Sequence, residues 1–179
     1  LAVLDGIDGT KVYKEQFGEG RYATLLGIFK GTDPTYEDAL FSGIMEHATG
    51  KLFYAIKGKG AFVRNLKDGT TEPLPRIDKT SQDNPKWKKL VASTELDQSL
   101  GTPMIGDMVR KLPDDFDVQG NLWSAVACYL GLLTGERAGF LDGTRKDNLE
   151  MAAVYRLLKE LGGVVLTLDG QEIGDKKYL

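Results

Sequence analysis

The chain opens with LAVL (1–4), a short unbroken apolar run that predicts a buried strand. RYATLLGIFKG (21–31) predicts a second strand. YEDALFSGIMEHATGKLFYAIKGKGAFVRN (36–65) predicts two strands around a turn at HATG, then a glycine-punctuated return. DGTTEPLPRIDKTSQDNPKWKK (68–89) is polar and proline-rich, so it reads as a long connection. KLVAST (89–94) predicts another strand, and 99–112 has helical spacing. LWSAVACYLGLLTGE (122–136) is apolar on most sides, as a buried helix is. AGFLDG (138–143) predicts a short strand. NLEMAAVYRLLKELGG (148–163) is the clearest helix: Met151, Val154, Tyr155, Leu158 and Leu161 share a stripe, and Gly162 supplies the stop. VVLTLDG (164–170) predicts a returning strand. Antiparallel-looking runs come early and strand–helix alternation comes late, which places the chain in the α+β class.

The length of 179 residues suits one domain or part of a larger one. Within it, 1–95 reads as an antiparallel sheet lobe and 96–179 as an α/β lobe. Apolar residues make up 41%, enough for a sizeable core, and the net charge of −3 comes with no basic run. That balance offers no footprint for a nucleic acid polymer or an anionic membrane. No apolar segment approaches the ~20 residues of a membrane span. Cys128 is the sole cysteine, so no internal disulfide forms. The expectation is a core thiol, no signal peptide and a reducing, cytoplasmic setting. The start at Leu1, with a strand under way, and the stop at IGDKKYL suggest the cut edges of something longer.

The chemistry gathers behind the first strand. LAVLDGIDGT (1–10) runs into Asp5 and Asp8, with glycine between and after them. Two carboxylates held close repel each other unless a cation or a shared proton offsets the charge. Mg²⁺ takes oxygen ligands, commonly one or two carboxylates plus substrate phosphate. The Ile7 carbonyl is a further oxygen, Gly9 allows close backbone approach, and Thr10 adds a hydroxyl and an N–H. A helix beginning there would turn free N–H groups towards an anion. The competing reading is a plain turn, since Asp-Gly pairs make turns and Asp caps helices. An EF-hand loop fails on spacing: the aspartates are three apart, and Gln16 stands where its glutamate belongs.

LDGIDGT resembles the D-P-[IL]-D-G-T signature of the inositol monophosphatase family, the Mg²⁺-dependent, Li⁺-sensitive sugar phosphatases. The similarity continues in order. ATLLGIFKG is similar to the family's next strand, and SGIMEHATGKLFYAIKGKGAF to its hairpin, with Ala48 where proline is usual. LWSAVACYLGLLTGERAGFLDG resembles its buried helix and following strand, and LEMAAVYRLLKELGG its W-D-x-A-A…A-G-G helix. The resemblance covers nearly the whole chain. It implies the layered α/β/α/β sugar-phosphatase fold, here without the N-terminal helical layer and the C-terminal end.

The resemblance also implies roles. Asp5 and Asp8 match metal-binding aspartates, and Ile7 matches a carbonyl ligand. Gly9 and Thr10 match the phosphate-contacting pair, Thr10 also orienting the attacking water. Glu150 falls where the second motif has its metal-binding aspartate, with Leu149 in place of tryptophan; related fructose bisphosphatases carry glutamate there. The competing reading of Glu150 is a dipole-favoured first-turn glutamate with Asp147 as N-cap. Asp142 matches a position that contacts a substrate hydroxyl, against a plain Asp-Gly turn. Asp5, Asp8 and Thr10 are then the catalytic set. The implied cofactor is Mg²⁺, with Mn²⁺ as substitute. The implied partner is a small phosphorylated substrate, and the implied assembly is a homodimer.

One departure stands out. The family's Gly-Glu-Glu motif, upstream of the first aspartate, has no counterpart before Leu1. The expectation is therefore either part of a longer Mg²⁺-dependent phosphomonoesterase or, as the alternative, a catalytically impaired member that binds a phosphorylated ligand or a partner protein. No rival nucleophile set is present. His47 reads as a surface residue of a hairpin turn, Trp87 and Trp123 as packing, and KGKG (57–60) as a lysine-lined turn rather than a phosphate loop.

Overall fold

The computed structural model describes residues 1–15, 20–77, 89–93, 110–111, 114, 117–121, 124–142 and 149–178. Trp87, Trp123, Asp147, Gln16 and most of the helical spacing at 99–112 lie outside them.

Six antiparallel strands form one sheet in chain order: β1 (Ala2–Asp8), β2 (Ala23–Phe29), β3 (Ala39–Glu46), β4 (Lys51–Ile56), β5 (Gly60–Asn65) and β6 (Thr71–Pro73). Consecutive strands pair because short turns such as HATG and KGKG join them, and period-two alternation fixes the register. A second, parallel sheet has the order β8 (Asp117–Asn121), β7 (Lys89–Ser93), β9 (Gly139–Asp142). The helices are α1 (Thr10–Glu15), α2 (Ala125–Leu133) and α3 (Leu149–Glu160). Among the described residues no helix is long and apolar enough to cross a membrane. The α+β class read from the pattern is the class observed.

Helix α3 lies across one face of the large sheet and packs against α2. Its seat is Gly27 on β2: a Cβ there would stand 2.9 Å from the Ala152 carbonyl oxygen. Glycine on the strand and Ala152–Ala153 on the helix let two backbones meet directly. Leu25, Ile44, Val126, Tyr129, Tyr155 and Leu157 fill the core around that seam. Cys128 is buried, as expected of a core thiol. Gly162 stops α3 in the left-handed conformation, and the Gly163 N–H returns to the Leu158 carbonyl.

The buried Arg156 staples α3 to the sheet. Its Nε donates to the Ala39 carbonyl at 2.8 Å, and Nη2 donates to the Glu37 carbonyl and to Glu37 Oε1. Tyr155 donates its hydroxyl to the other Glu37 oxygen. At the far end of α3, the Glu160 carboxylate accepts the N–H groups of Gly58 and Gly60. KGKG is thus a turn, and one whose donors already hold an anion, the side chain of Glu160.

Three expectations are corrected. Residues 2–4 belong to a strand, but it is buried on one face only: Val3 is 5% exposed and Leu4 61%. As an edge strand β1 has α3 over one face only, so alternate side chains look outward. The connection after residue 68 begins with β6, which pairs with β5 because Asp68 and Gly69 close a tight turn. VVLTLDG forms no strand beyond an isolated Leu166–Glu172 bridge, since the chain reverses at once through Asp169–Gly170.

Candidate metal centre

In a regular strand, residues three apart point to opposite faces. Asp5 and Asp8 should therefore diverge, and a bulge prevents it. Asp5 pairs with Leu25 and Asp8 with Ala23, so β1 spends one residue more than β2 across that interval. The extra residue restores both aspartates to one face. Leu25 and Ala23 on that face are buried beneath α3. Glu150 occupies the first turn of α3. One carboxylate oxygen each from Asp5, Asp8 and Glu150 lie within 4.8 Å of one another.

Local bonds set each group. Asp5 Oδ1 accepts the Ile7 N–H at 3.1 Å. The Thr10 hydroxyl donates to the Ile7 carbonyl at 3.0 Å. Asp8 Oδ2 accepts the Val126 N–H at 2.6 Å, with the Ser124 hydroxyl at 3.4 Å. Ser124 is also the N-cap of α2, its Oγ accepting from the Ala127 N–H. The positive end of α2 thus faces the Asp8 charge. α1 begins at Thr10, which meets the condition set for an anion site there. Gly9 enables the turn before it: φ is +82°, and a Cβ would lie 3.0 Å from Ser124 Oγ and 3.1 Å from the Arg21 carbonyl oxygen.

Beneath the acids lies Tyr129, fully buried. Burial drives its phenol well above the ordinary tyrosine value, and the charges of Asp142, Glu150 and Asp8 push it further. The phenol therefore stays protonated. Asp142, at the end of β9, lies outside the three-carboxylate cluster. Asp142 pairs in register with Ser93 of β7.

Three carboxylates this close repel in pairs by roughly 1 kcal/mol when water screens them and ~3 kcal/mol at the effective dielectric of a partly buried site. A cation or a shared proton offsets such repulsion. The donors are all hard oxygens on partly buried residues, and the Ile7 carbonyl sits between the aspartates in sequence. That set fits Mg²⁺ rather than a thiolate- or imidazole-seeking metal.

The family model described as "Inositol monophosphatase family" matches residues 1–179. The chain belongs to the inositol monophosphatase family. It is 28% identical over 181 aligned positions to a fructose-1,6-bisphosphatase/inositol-1-monophosphatase of Methanothermobacter thermautotrophicus, covering 97% of this chain and 57% of the relative. It is 26% identical to a probable 3′(2′),5′-bisphosphate nucleotidase 4 of Arabidopsis thaliana, covering 96% and 49%. The chain thus spans about half the length of the curated relatives it matches. Among solved structures, an IMPase/NADP phosphatase complexed with Mg²⁺ and phosphate shares the fold, with a TM-score of 0.65, 19% identity, and 97% and 57% coverage.

Within this inositol monophosphatase fold the structure brings Asp5, Asp8 and Glu150 together, sets Ile7, Gly9 and Thr10 along the junction of β1 and α1, and leaves Asp142 outside the cluster. Sequence reasoning missed Ser124, the Val126 N–H and Tyr129. Ser124 carried a readable signal, a serine just before an apolar helical run. That its helix would aim at Asp8 carried none.

Proposed function

We propose that this chain carries the metal- and phosphate-binding part of a Mg²⁺-dependent phosphomonoesterase acting on a sugar, inositol or nucleotide phosphate. The observation that carries the reading is the convergence of Asp5, Asp8 and Glu150 from two elements distant in sequence. Mg²⁺ bound there would neutralise phosphoryl charge and acidify the attacking water; Mn²⁺ has the same ligand preference.

In this reading Asp5, Asp8, Glu150 and the Ile7 carbonyl hold the metal. The Val126 N–H and Ser124 hold the Asp8 carboxylate in its orientation. Thr10 orients water and, with the Gly9 backbone, contacts the phosphate. Asp142 accepts a hydroxyl of the substrate. Tyr129, kept protonated, closes the floor under the acids. A cytoplasmic location and a homodimer belong to the same reading and rest on the family resemblance. No observation among the described residues favours the ligand-binding, inactive alternative.

The test is phosphate release by the whole protein from a panel of inositol, sugar and nucleotide phosphates, with and without Mg²⁺. Release that depends on Mg²⁺ is expected. Equal release in excess chelator would overturn the reading.

A further inference from the structure

The bulge that aligns Asp5 with Asp8 is held from behind by two side chains outside the acidic cluster. Thr24, on β2, reaches the Gly6 carbonyl with Oγ1 at 2.7 Å. His47, just past β3, places Nε2 at 2.9 Å from the same Oγ1. A hydroxyl carries one proton. The Gly6 carbonyl can only accept, so the Thr24 proton goes there. Oγ1 then accepts from His47, which fixes the hydrogen on Nε2. His47 is itself anchored: its N–H donates to the Tyr22 carbonyl at 3.2 Å, and its ring stacks on Tyr22 at 5.4 Å. Tyr22 in turn packs on Tyr13 of α1, the helix that starts at Thr10.

The Gly6 carbonyl and the Ile7 N–H belong to one planar peptide. Pinning its oxygen fixes the direction of the N–H, and that N–H donates to Asp5 Oδ1 at 3.1 Å. The hydrogen bonds run one way, from His47 through Thr24 and the Gly6–Ile7 peptide to the Asp5 carboxylate. Bonds aligned like this polarise one another. We propose that His47 and Thr24 form a positioning relay that sets the orientation of the Asp5 carboxylate and of the Ile7 peptide towards a divalent cation. The relay rests on the metal reading above. His47 is therefore a positioning residue on an exposed turn rather than a surface bystander.

The relay is tested by titrating Mn²⁺ and Mg²⁺ calorimetrically into the whole protein and its variants, with amide exchange of Ile7 read by NMR in the metal-free state. Supporting groups of this kind commonly change metal affinity by about 10-fold or more when removed. Thr24→Val, which keeps the shape and loses the hydroxyl, should weaken Mn²⁺ binding ~10-fold and speed Ile7 exchange. Thr24→Ser should restore both. His47→Ala should act in the same direction, and His47→Gln, which returns an N–H near the Nε2 position, should recover most of the loss. The Thr24→Val/His47→Ala pair should cost no more than Thr24→Val alone, as one chain of bonds requires. Unfolding temperatures are measured alongside; should Thr24→Val fail to fold, the His47 pair decides, since that side chain is exposed. Wild-type affinity and wild-type Ile7 exchange in folded Thr24→Val or His47→Ala would overturn the relay. A wild-type protein that binds neither ion would overturn the metal reading, and the Ile7 exchange pattern would then judge the relay by itself.

Discussion

Helix α3 serves two regions built on opposite terms. Along its middle, Ala152 and Ala153 press backbone to backbone on Gly27, and Arg156 is bonded to Ala39 and Glu37. At its first turn, Glu150 joins two like charges at the rim of an edge strand. The seam gains stability from contact and from satisfied polar groups. The rim gives some up, because three neighbouring carboxylates disfavour the metal-free fold. Placing both on one helix lets the well-packed region hold the repelling one in place. Packing and the proposed chemistry are thus divided along a single element, and substitutions at its two ends should have opposite signatures.

The sharpest break is Asp5→Asn. It should lower Mg²⁺-dependent phosphate release about 100-fold, yet leave the metal-free unfolding midpoint unchanged or higher, because one repelling charge is gone. Phosphate assay and thermal melts in chelator check the two halves. A midpoint that falls as far as that of a core variant would place Asp5 in the scaffold instead. Next is Gly27→Val, which drives a branched side chain into the Ala152 carbonyl. It should cost about 3 kcal/mol in urea unfolding, and Mn²⁺ affinity should fall with it because Glu150 moves. A wild-type midpoint would mean that α3 is not seated there.

The smallest effect is the pH response of the staple. Burial pushes Glu37 up, but the hydrogen bonds of Tyr155 and Arg156 and the Arg156 charge outweigh it, so its carboxyl sits below the ordinary 4.5. A carboxyl lowered by folding stabilises above its unfolded value and loses that contribution as the pH falls through the folded one. Stability should therefore decline below about pH 4.5. Glu37→Gln should flatten that acid limb while leaving Mn²⁺ affinity at neutral pH unchanged. An acid limb as steep in Glu37→Gln as in wild type would remove Glu37 from this role.

Much of this division is legible in the chain. Period-two alternation and tight turns give β2 to β5, because neighbouring strands pair locally. The helical stripe ending at Gly162 gives α3. LDGIDGT and Glu150 point to a metal through residue type and through resemblance. What stays hidden depends on contacts distant in sequence. The exposure of Leu4 follows from its place on the sheet face opposite α3. The approach of α2 to Asp8 and the capture of Glu160 by KGKG join segments about 100 or more residues apart. No local period encodes such pairings. Nor does alternation reveal the bulge: read plainly, it would send Asp5 and Asp8 to opposite faces.

The contact between Gly27 and Ala152 also acts as a ruler. Glu150 stands two residues ahead of Ala152, so wherever that carbonyl rests, the glutamate's starting point is set by backbone touching backbone. The helix has no slack to slide towards β1. An aspartate at 150 would set its carboxylate back by one carbon–carbon bond, about 1.5 Å, so the length of the acid there decides how far it extends from a point measured on the strand beneath it.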